Sequence, residues 1–142
     1  MNPLHLAIQV RDIDEARDFY LNVIGCTEGR SDAKWVDFNF YGHQLVCHLN
    51  PALKQDVKVA EIKNPVDGHG VPVPHFGIVL EMPDWETLAG KLRVRGVKFE
   101  IEPYIRFKGQ PGEQATMFFY DPSGNAIEIK AFKNISEQLF AK

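Results

Sequence analysis

Two histidines, His5 and His75, occupy matching positions in two similar stretches of the chain. Each begins the pattern histidine, large apolar residue, small residue, isoleucine, written HLAI in one stretch and HFGI in the other. In both stretches an aspartate follows nine residues after the histidine. Neutral imidazole is a frequent ligand of divalent transition metals. The two matching histidines are therefore candidate metal ligands, and their positions depend on the secondary-structure elements that carry them.

The segments around both histidines alternate between large apolar residues and small or polar ones. In 4–10, Leu6 and Ile8 fall on the face opposite His5, and 74–82 alternates in the same way. A period of two is expected of a β-strand with one buried face. Each histidine is therefore predicted on a strand, on the face away from the large apolar side chains.

Helical patterns follow both strands. Apolar residues recur at helical spacing over roughly 13–24 and 84–95, and a glycine suited to end a helix follows each stretch. Asp12 and Glu15 fit a capping box at the start of the first helix. Asp84 is expected to be the N-cap of the second helix.

Three further strands are predicted after each helix, so both copies have the order βαβββ. The predicted strands lie near 26–30, 34–41 and 43–49 in the first copy and near 97–102, 114–120 and 125–132 in the second. Residues 103–113 are predicted as a mobile loop. We expect one α+β domain, composed of module one (1–50), an irregular connection (51–73), module two (74–133) and a tail with a short helical turn or frayed end (134–142).

Three stretches together resemble the vicinal oxygen chelate superfamily: HLAIQVRDIDEARDFYLNVIGC, PHFGIVLEM and FFYDPSGNAIEIKAF. That superfamily includes glyoxalase I, extradiol dioxygenases, methylmalonyl-CoA epimerase, fosfomycin-resistance thiol transferases and bleomycin-binding proteins. The resemblance covers nearly the whole chain, and the DPSGNAIE run is its most specific part. It implies two βαβββ modules that form a half-open barrel around a metal site, with His5, His75 and Glu128 as ligands.

Strand parity gives a separate test of Glu128. In NAIEIKAF the neighbours Ile127 and Ile129 are expected to face the helices, which places Glu128 and Lys130 on the opposite face. A single histidine in a strand is more often a hydrogen-bonded barrel residue than a ligand. Two equivalent histidines and an inward carboxylate favour a divalent cation, which would offset the cost of burying the charge. The donor set suits Fe(II), Mn(II), Co(II), Ni(II) or Zn(II) without separating them.

A fourth ligand does not follow cleanly from the repeat. Aligning Gly42 with Gly124 places Val46, which cannot bind a metal, opposite Glu128 in the repeat. Gln44 and His48 lie two residues to either side on the same face. His48 is therefore a candidate catalytic residue that could be a ligand, a group supporting a ligand or a substrate contact.

Tyr104 and Arg106 are further catalytic candidates beside the predicted loop. The planar guanidinium of Arg106 could clamp a carboxylate or phosphate, and the Tyr104 hydroxyl could donate a proton or a hydrogen bond. Two surface residues at the end of a strand would explain the same sequence equally well.

Composition narrows the class of protein. With 142 residues, 44% hydrophobic and 25% charged, the chain is ordinary for a globular domain. A net charge of −3 gives no basic surface for nucleic acid, and no apolar run approaches the roughly 20 residues of a membrane span. The first residues lack a signal-peptide pattern, and two cysteines are too few for a disulfide framework. A cytoplasmic protein with a small-molecule substrate is expected.

Two functions remain open at this point. The first is a metal-dependent enzyme that binds adjacent substrate oxygens, either extradiol-dioxygenase-like or glyoxalase-like. The second is a metal-free protein that sequesters a drug or metabolite, as bleomycin-binding proteins do. The resemblance also implies a homodimer, in which His5 could meet the other two ligands within one chain or across the subunit interface.

Overall fold

The computed structural model describes residues 1–53 and 58–142. The chain forms two compact units, one comprising Met1–Val59 with Asp121–Asn125, and the other Ala60–Tyr120 with Ala126–Lys142. No helix in the described ranges is both long and apolar enough to cross a membrane. The fold class is α+β, as the sequence predicted.

The described part of the first unit contains a sheet of four strands, β1 (His5–Val10), β2 (Thr27–Asp32), β3 (Trp35–Phe40) and β4 (His43–Leu49). Their order in the sheet is β1-β4-β3-β2. β1 pairs with β4 in parallel, and the other neighbours are antiparallel. Along β1, exposed residues alternate with more buried ones, which confirms the predicted period of two.

A helix joins β1 to β2, and it changes type along its length. α1 (Ile13–Arg17) continues directly into a π-helical segment (Asp18–Ile24). The Asp12 side chain accepts a hydrogen bond from the Glu15 N–H, which confirms that end of the predicted capping box. Gly25 ends the segment with φ 95°, a conformation that costs glycine little.

The described part of the second unit repeats this arrangement with β7 (Phe76–Glu81), α2 (Met82–Val94), β8 (Phe99–Arg106), β9 (Gln114–Tyr120), β10 (Ala126–Phe132) and α3 (Ile135–Gln138). The order of the strands in its sheet is β7-β10-β9-β8. β7 and β10 are parallel, just as β1 and β4 are. Both copies therefore have the predicted order βαβββ, and α3 is the helical turn expected in the tail.

The register of the parallel pairs confirms the sequence alignment of the two copies. Ala7, two residues after His5, lies opposite Val46, and Gly77, two residues after His75, lies opposite Glu128. Val46 is thus the structural equivalent of Glu128. The first sheet carries an apolar side chain where the second carries its carboxylate.

The connection between the modules is more ordered than the sequence indicated. A hairpin of β5 (Ile62–Val66) and β6 (His69–Val73) lies within the segment predicted to be irregular, and it belongs to the second unit. Asp67 and Gly68 form its turn with φ 51° and 77°, the conformation that two-residue hairpins favour. Residues 54–57 of the same segment lie outside the described ranges.

Two other boundaries differ from the prediction. α2 begins at Met82, and Asp84 lies in its first turn instead of capping it, because Pro83 occupies one of the first two helical positions and extends the helix upstream. β8 continues to Arg106, so the first part of the predicted loop 103–113 is a strand.

Candidate functional site

His75 and Glu128 form the centre of the candidate site in the second unit. His75 Nε2 lies 3.0 Å from Glu128 Oε2. His75 immediately precedes β7, and Glu128 lies on β10, the neighbouring parallel strand. Their side chains are 27% and 16% exposed, so a solute can reach the pair while most of its charge is shielded from water.

Hydrogen bonds fix both members of the pair. His75 Nδ1 lies 2.7 Å from the Pro72 carbonyl oxygen, which can only accept, so the Nδ1 proton is directed there. Thr116 Oγ1 donates to Glu128 Oε1 at 2.8 Å. The second ring nitrogen and the second carboxylate oxygen therefore face one another.

The charges of the pair respond to this arrangement. Burial raises the pKa of Glu128, but hydrogen bonds from His75 and Thr116 and the charge of Lys130 outweigh it and leave the pKa below its usual value. The hydrogen bond to Glu128 in turn raises the pKa of His75, against a smaller opposing effect of burial. Glu128 is an anion at neutral pH, as a metal-binding carboxylate must be.

Gly77 permits the close approach of the two strands at Glu128. A Cβ atom placed on Gly77 would lie 1.5 Å from the carbonyl oxygen of Glu128 and 2.6 Å from its carbonyl carbon. Every other residue type carries that Cβ. The small residue noted in the repeat must therefore be glycine in the second copy if the two strands are to lie this close together.

His5 lies in the first unit with supporting contacts of its own. Its Nδ1 lies 2.7 Å from Gln44 Oε1, and Gln44 Nε2 donates to Asp37 Oδ2 at 3.0 Å. Gln44 is the residue directly opposite His5 in the β1–β4 pair. Asp37 is 8% exposed. His5 and His75 therefore share one feature, an oxygen acceptor at Nδ1.

His48 lies on the predicted face of β4 but away from His5. It is exposed and pairs with Gln9, four residues along β1 from His5. At about 3.3 Å per residue that separation is about 13 Å. Within its own sheet, His48 therefore does not share a metal ion with His5.

Tyr104 and Arg106 both contact Asp67 at the turn of the β5–β6 hairpin. Arg106 Nε donates to Asp67 Oδ2 at 2.5 Å, and the Tyr104 hydroxyl donates to the same oxygen at 3.1 Å. Burial and then the bond to Asp67 raise the pKa of Tyr104, which makes its hydroxyl a weaker acid. Both candidates hold the hairpin turn in this structure, and a substrate anion would have to replace the Asp67 carboxylate.

The DPSGN run has a structural role within the first unit. The buried Asp121 carboxylate accepts hydrogen bonds from the Tyr20 hydroxyl, the Ser123 N–H and both the main-chain and side-chain nitrogens of Asn125. Asn125 also donates to the Gln9 carbonyl oxygen. The specificity of this motif thus reflects a tightly bonded turn, and none of its residues is a candidate ligand.

The structure brings two of the three predicted ligands together, His75 and Glu128, and places His5 in the other unit. Across residues 1–53 and 58–142, no three His, Cys, Asp or Glu side chains are gathered into a metal-binding group. Sequence reasoning missed the supporting roles of Gln44, Thr116 and Asp67. Cross-strand pairing could have indicated Gln44 and Thr116, whereas Asp67 depends on a hairpin that the sequence did not reveal.

Comparison with solved structures supports the fold. A protein of Alicyclobacillus acidocaldarius, described as a glyoxalase/bleomycin resistance protein/dioxygenase, is 33% identical, with 96% of this chain and 95% of that one covered and a TM-score of 0.73. The fosfomycin resistance protein FosX of Listeria monocytogenes is 17% identical, with coverage of 97% and 98% and a TM-score of 0.69. The virulence protein STM3117 of Salmonella typhimurium is 20% identical, with coverage of 93% and 96% and a TM-score of 0.63.

The similarities to FosX and to STM3117 concern the fold alone. A search of curated proteins found no match to the sequence. A family model does match, over residues 2–129. Together with the 33% identity over nearly the full length of the Alicyclobacillus protein, this match assigns the chain to the Glyoxalase/Bleomycin resistance protein/Dioxygenase superfamily.

Proposed function

We propose that the protein is a divalent-metal-dependent enzyme that acts on a small substrate with two adjacent oxygen atoms. The observation that supports this most strongly is the His75–Glu128 pair, whose Nε2 and Oε2 atoms lie 3.0 Å apart. A histidine and a carboxylate held together on one face are the donors that Fe(II), Mn(II), Co(II), Ni(II) and Zn(II) accept. His5 is proposed as the third ligand.

The residues present fit such an ion. Both histidines have an oxygen acceptor at Nδ1, so each neutral ring can hold its proton there and offer the Nε2 lone pair to an ion. Metal-binding histidines usually donate their second ring N–H to an oxygen in this way. Thr116 engages one oxygen of Glu128 and leaves the other for the ion. Two neutral imidazoles and one carboxylate leave a divalent ion with a net positive charge, which attracts anionic substrate oxygens.

A bound metal ion would supply Lewis-acid stabilisation of negative charge on the substrate oxygens. Residues of this chain would hold the ligands of the ion in position. Thr116 holds the Glu128 carboxylate, the Pro72 carbonyl holds the His75 ring, and Lys130 adds positive charge on the same strand face. In this proposal an anionic substrate is attracted to this face and oriented through both of its oxygens.

Elemental analysis of the purified protein tests the site. We expect about one equivalent of metal per chain, and a loss of most of it in His5→Ala, His75→Ala and Glu128→Gln, because each removes a ligand. His43→Ala is the matched control, since His43 lies in the first unit and its Nδ1 accepts from the Leu4 N–H. Full metal content in His75→Ala would refute the assignment.

A mixing experiment tests where His5 meets the other two ligands. The superfamily resemblance implies a homodimer, and we propose that the site is completed either within one chain or by a second copy. Co-expression of His5→Ala with Glu128→Gln would restore about one quarter of the wild-type metal content if the site spans two subunits of a symmetric dimer. No restoration is expected if each site belongs to one chain.

Extradiol-dioxygenase-like and glyoxalase-like reactions both remain within the proposal. Catechols, methylglyoxal hemithioacetal and fosfomycin are the substrates to assay with protein loaded with Fe(II), Mn(II), Co(II), Ni(II) or Zn(II). Tyr104 and Arg106 both donate to the Asp67 carboxylate, so we propose that they contact substrate only after these hydrogen bonds break. Asp67→Asn removes the negative charge that holds Arg106 and should make both side chains easier for a substrate to engage. His48 lies about 13 Å along the sheet from His5, so we propose it as a substrate contact or a group supporting a ligand, and not as a ligand beside His5.

A second function is supported by one observation. His75 and Glu128 satisfy each other as a charged pair when His75 is protonated, so the carboxylate is compensated without a metal ion. This is compatible with a metal-free protein that binds a drug or metabolite. Isothermal titration with each of the five metals separates the alternatives, because the binding-protein function predicts no saturable metal binding and the same small-molecule affinity with and without metal.

A further inference from the structure

The supporting contacts of His5 form a chain of hydrogen bonds that starts at a nearly buried carboxylate. Asp37 lies on β3 with an exposed fraction of 8%, and one of its oxygens accepts from Gln44 Nε2 at 3.0 Å. Gln44 lies on β4 and presents Oε1 to His5 Nδ1 at 2.7 Å. The three side chains thus connect three adjacent strands of the first sheet.

The buried Asp37 carboxylate determines which group donates and which accepts in each of these hydrogen bonds. A carboxylate has no N–H and can only accept, so Asp37 requires the amide nitrogen of Gln44 on its side. The amide oxygen of Gln44 must then face His5, where it can only accept. His5 is left with one way of making the contact, which is to carry its proton on Nδ1.

We infer that Asp37 and Gln44 are positioning residues for His5, which hold its imidazole in the tautomer protonated on Nδ1 and present the Nε2 lone pair to the open face of the sheet. The consequence for metal binding rests on the proposed function, but the tautomer does not. In the second unit the Pro72 carbonyl oxygen also accepts at His75 Nδ1, but Nε2 of that ring faces a second acceptor, Glu128 Oε2, at 3.0 Å. The acceptor at Nδ1 is thus supplied by a side-chain relay, Asp37 and Gln44, in one copy and by a main-chain carbonyl in the other, and the fixed tautomer is inferred for His5 alone.

Nitrogen-15 NMR of the metal-free protein tests the tautomer directly. At about pH 9, where an ordinary imidazole is neutral, we expect His5 to carry its proton on Nδ1, whereas histidine free in water favours Nε2. Gln44→Leu removes the acceptor, so the proton of His5 should move to Nε2. His75 serves as an internal control, because its acceptor is a main-chain atom that the substitution leaves in place. Gln9→Leu is the matched control, because it makes the same change of glutamine to leucine on β1, four residues from His5, and should leave the tautomer of His5 unchanged.

A double variant separates the relay from general packing. Gln44→Glu combined with Asp37→Asn reverses the chemical types of the two side chains. The new amide on β3 then donates to the new carboxylate on β4, and that carboxylate accepts from His5. This pair should restore the Nδ1 tautomer. Asp37→Asn alone removes the constraint on the Gln44 amide and should give a mixture of tautomers.

Zinc titration calorimetry measures the consequence. Loss of such a supporting contact typically weakens metal affinity about 10–100-fold, so Gln44→Leu should show that loss and the double variant should recover most of it. Protonation of His5 on Nε2 in the wild type, or an unchanged tautomer in Gln44→Leu, would overturn the inference. If the tautomers behave as described but the wild type binds no metal, the proposed function fails and the relay stands.

Discussion

Substitution of Gly77 by alanine should damage both stability and the candidate site. The added Cβ would lie 1.5 Å from the Glu128 carbonyl oxygen, whereas ordinary contacts begin at 3.4 Å. The strands must therefore separate by about 2 Å, since the obstacle is main chain and cannot rotate away. Inserting one carbon into a packed site typically costs about 1–3 kcal/mol. Because the pairing of β7 with β10 is also disturbed, we expect a decrease at the upper end of that range, about 3 kcal/mol, in the free energy of unfolding.

The same displacement should abolish the contact between His75 and Glu128. Binding geometry tolerates about 0.5 Å of error, so a shift of about 2 Å removes the ligand from its place. Urea unfolding and metal titration measure the two effects. Gly90→Ala is the matched control, because Gly90 lies within α2 and a Cβ there would have no neighbour within 4 Å. That variant should gain up to about 1 kcal/mol. A folded Gly77→Ala protein within about 0.5 kcal/mol of wild type, with full metal affinity, would refute this reasoning.

Further predictions concern pH, a buried hydroxyl and the thiols. In metal-free protein the His75–Glu128 pair should stabilise the fold most between about pH 4.5 and 6.5. The pKa of Glu128 is lowered in the folded state, so the stability that this carboxylate contributes is lost as the pH falls. The pKa of His75 is raised in the folded state, so the stability that this imidazole contributes is lost as the pH rises. Urea midpoints of wild type and His75→Ala should differ most in that window, and parallel pH profiles would contradict this. Tyr20→Phe should cost about 1–3 kcal/mol in thermal unfolding, since Asp121 loses a buried donor, and an unchanged melting temperature would contradict that role. Burial raises the pKa of Cys26 to about 12 and that of Cys47 further, so neither should react with a thiol reagent at pH 8 before unfolding.

Much of the fold could be predicted because it repeats. The alternation along β1 and the matching histidines marked both modules, and the structure confirms the strand order that follows. Strand parity also placed Glu128 correctly, opposite the fully buried Ile127 and Ile129. These features depend on local periodicity and on the pairing of neighbouring strands, which a single sequence records.

The β5–β6 hairpin could not be predicted in the same way. Pro65 and Pro72 interrupt its strands, and proline is normally unfavourable within a strand because it lacks an N–H. The contact of Arg106 with Asp67 joins residues 39 apart, and nothing in the local pattern indicates it. The sequence allows Arg106 either as a substrate contact or as a surface residue at the end of a strand, and neither alternative includes the contact of its guanidinium with the hairpin turn.

The π-helical segment is a second feature without a clear sequence signal. Its apolar residues repeat at a spacing that fits a regular α-helix, and the prediction over 13–24 made no distinction. Phe19, Tyr20, Val23 and Ile24 are all buried in the segment. Tertiary contacts such as that of the Tyr20 hydroxyl with Asp121 determine how the chain turns here, and they involve a residue 101 positions away.

Anomalous diffraction from crystals of metal-loaded protein, recorded at the absorption edge of the bound metal, tests the central claim most directly. With zinc, the account predicts one strong peak at about 2.0–2.2 Å from Nε2 of His75, Nε2 of a His5 and an oxygen of Glu128. Whether that His5 belongs to the same chain or to its partner would be visible in the same map. A peak bound to other residues, or no peak in protein saturated with each candidate metal, would contradict the proposed site.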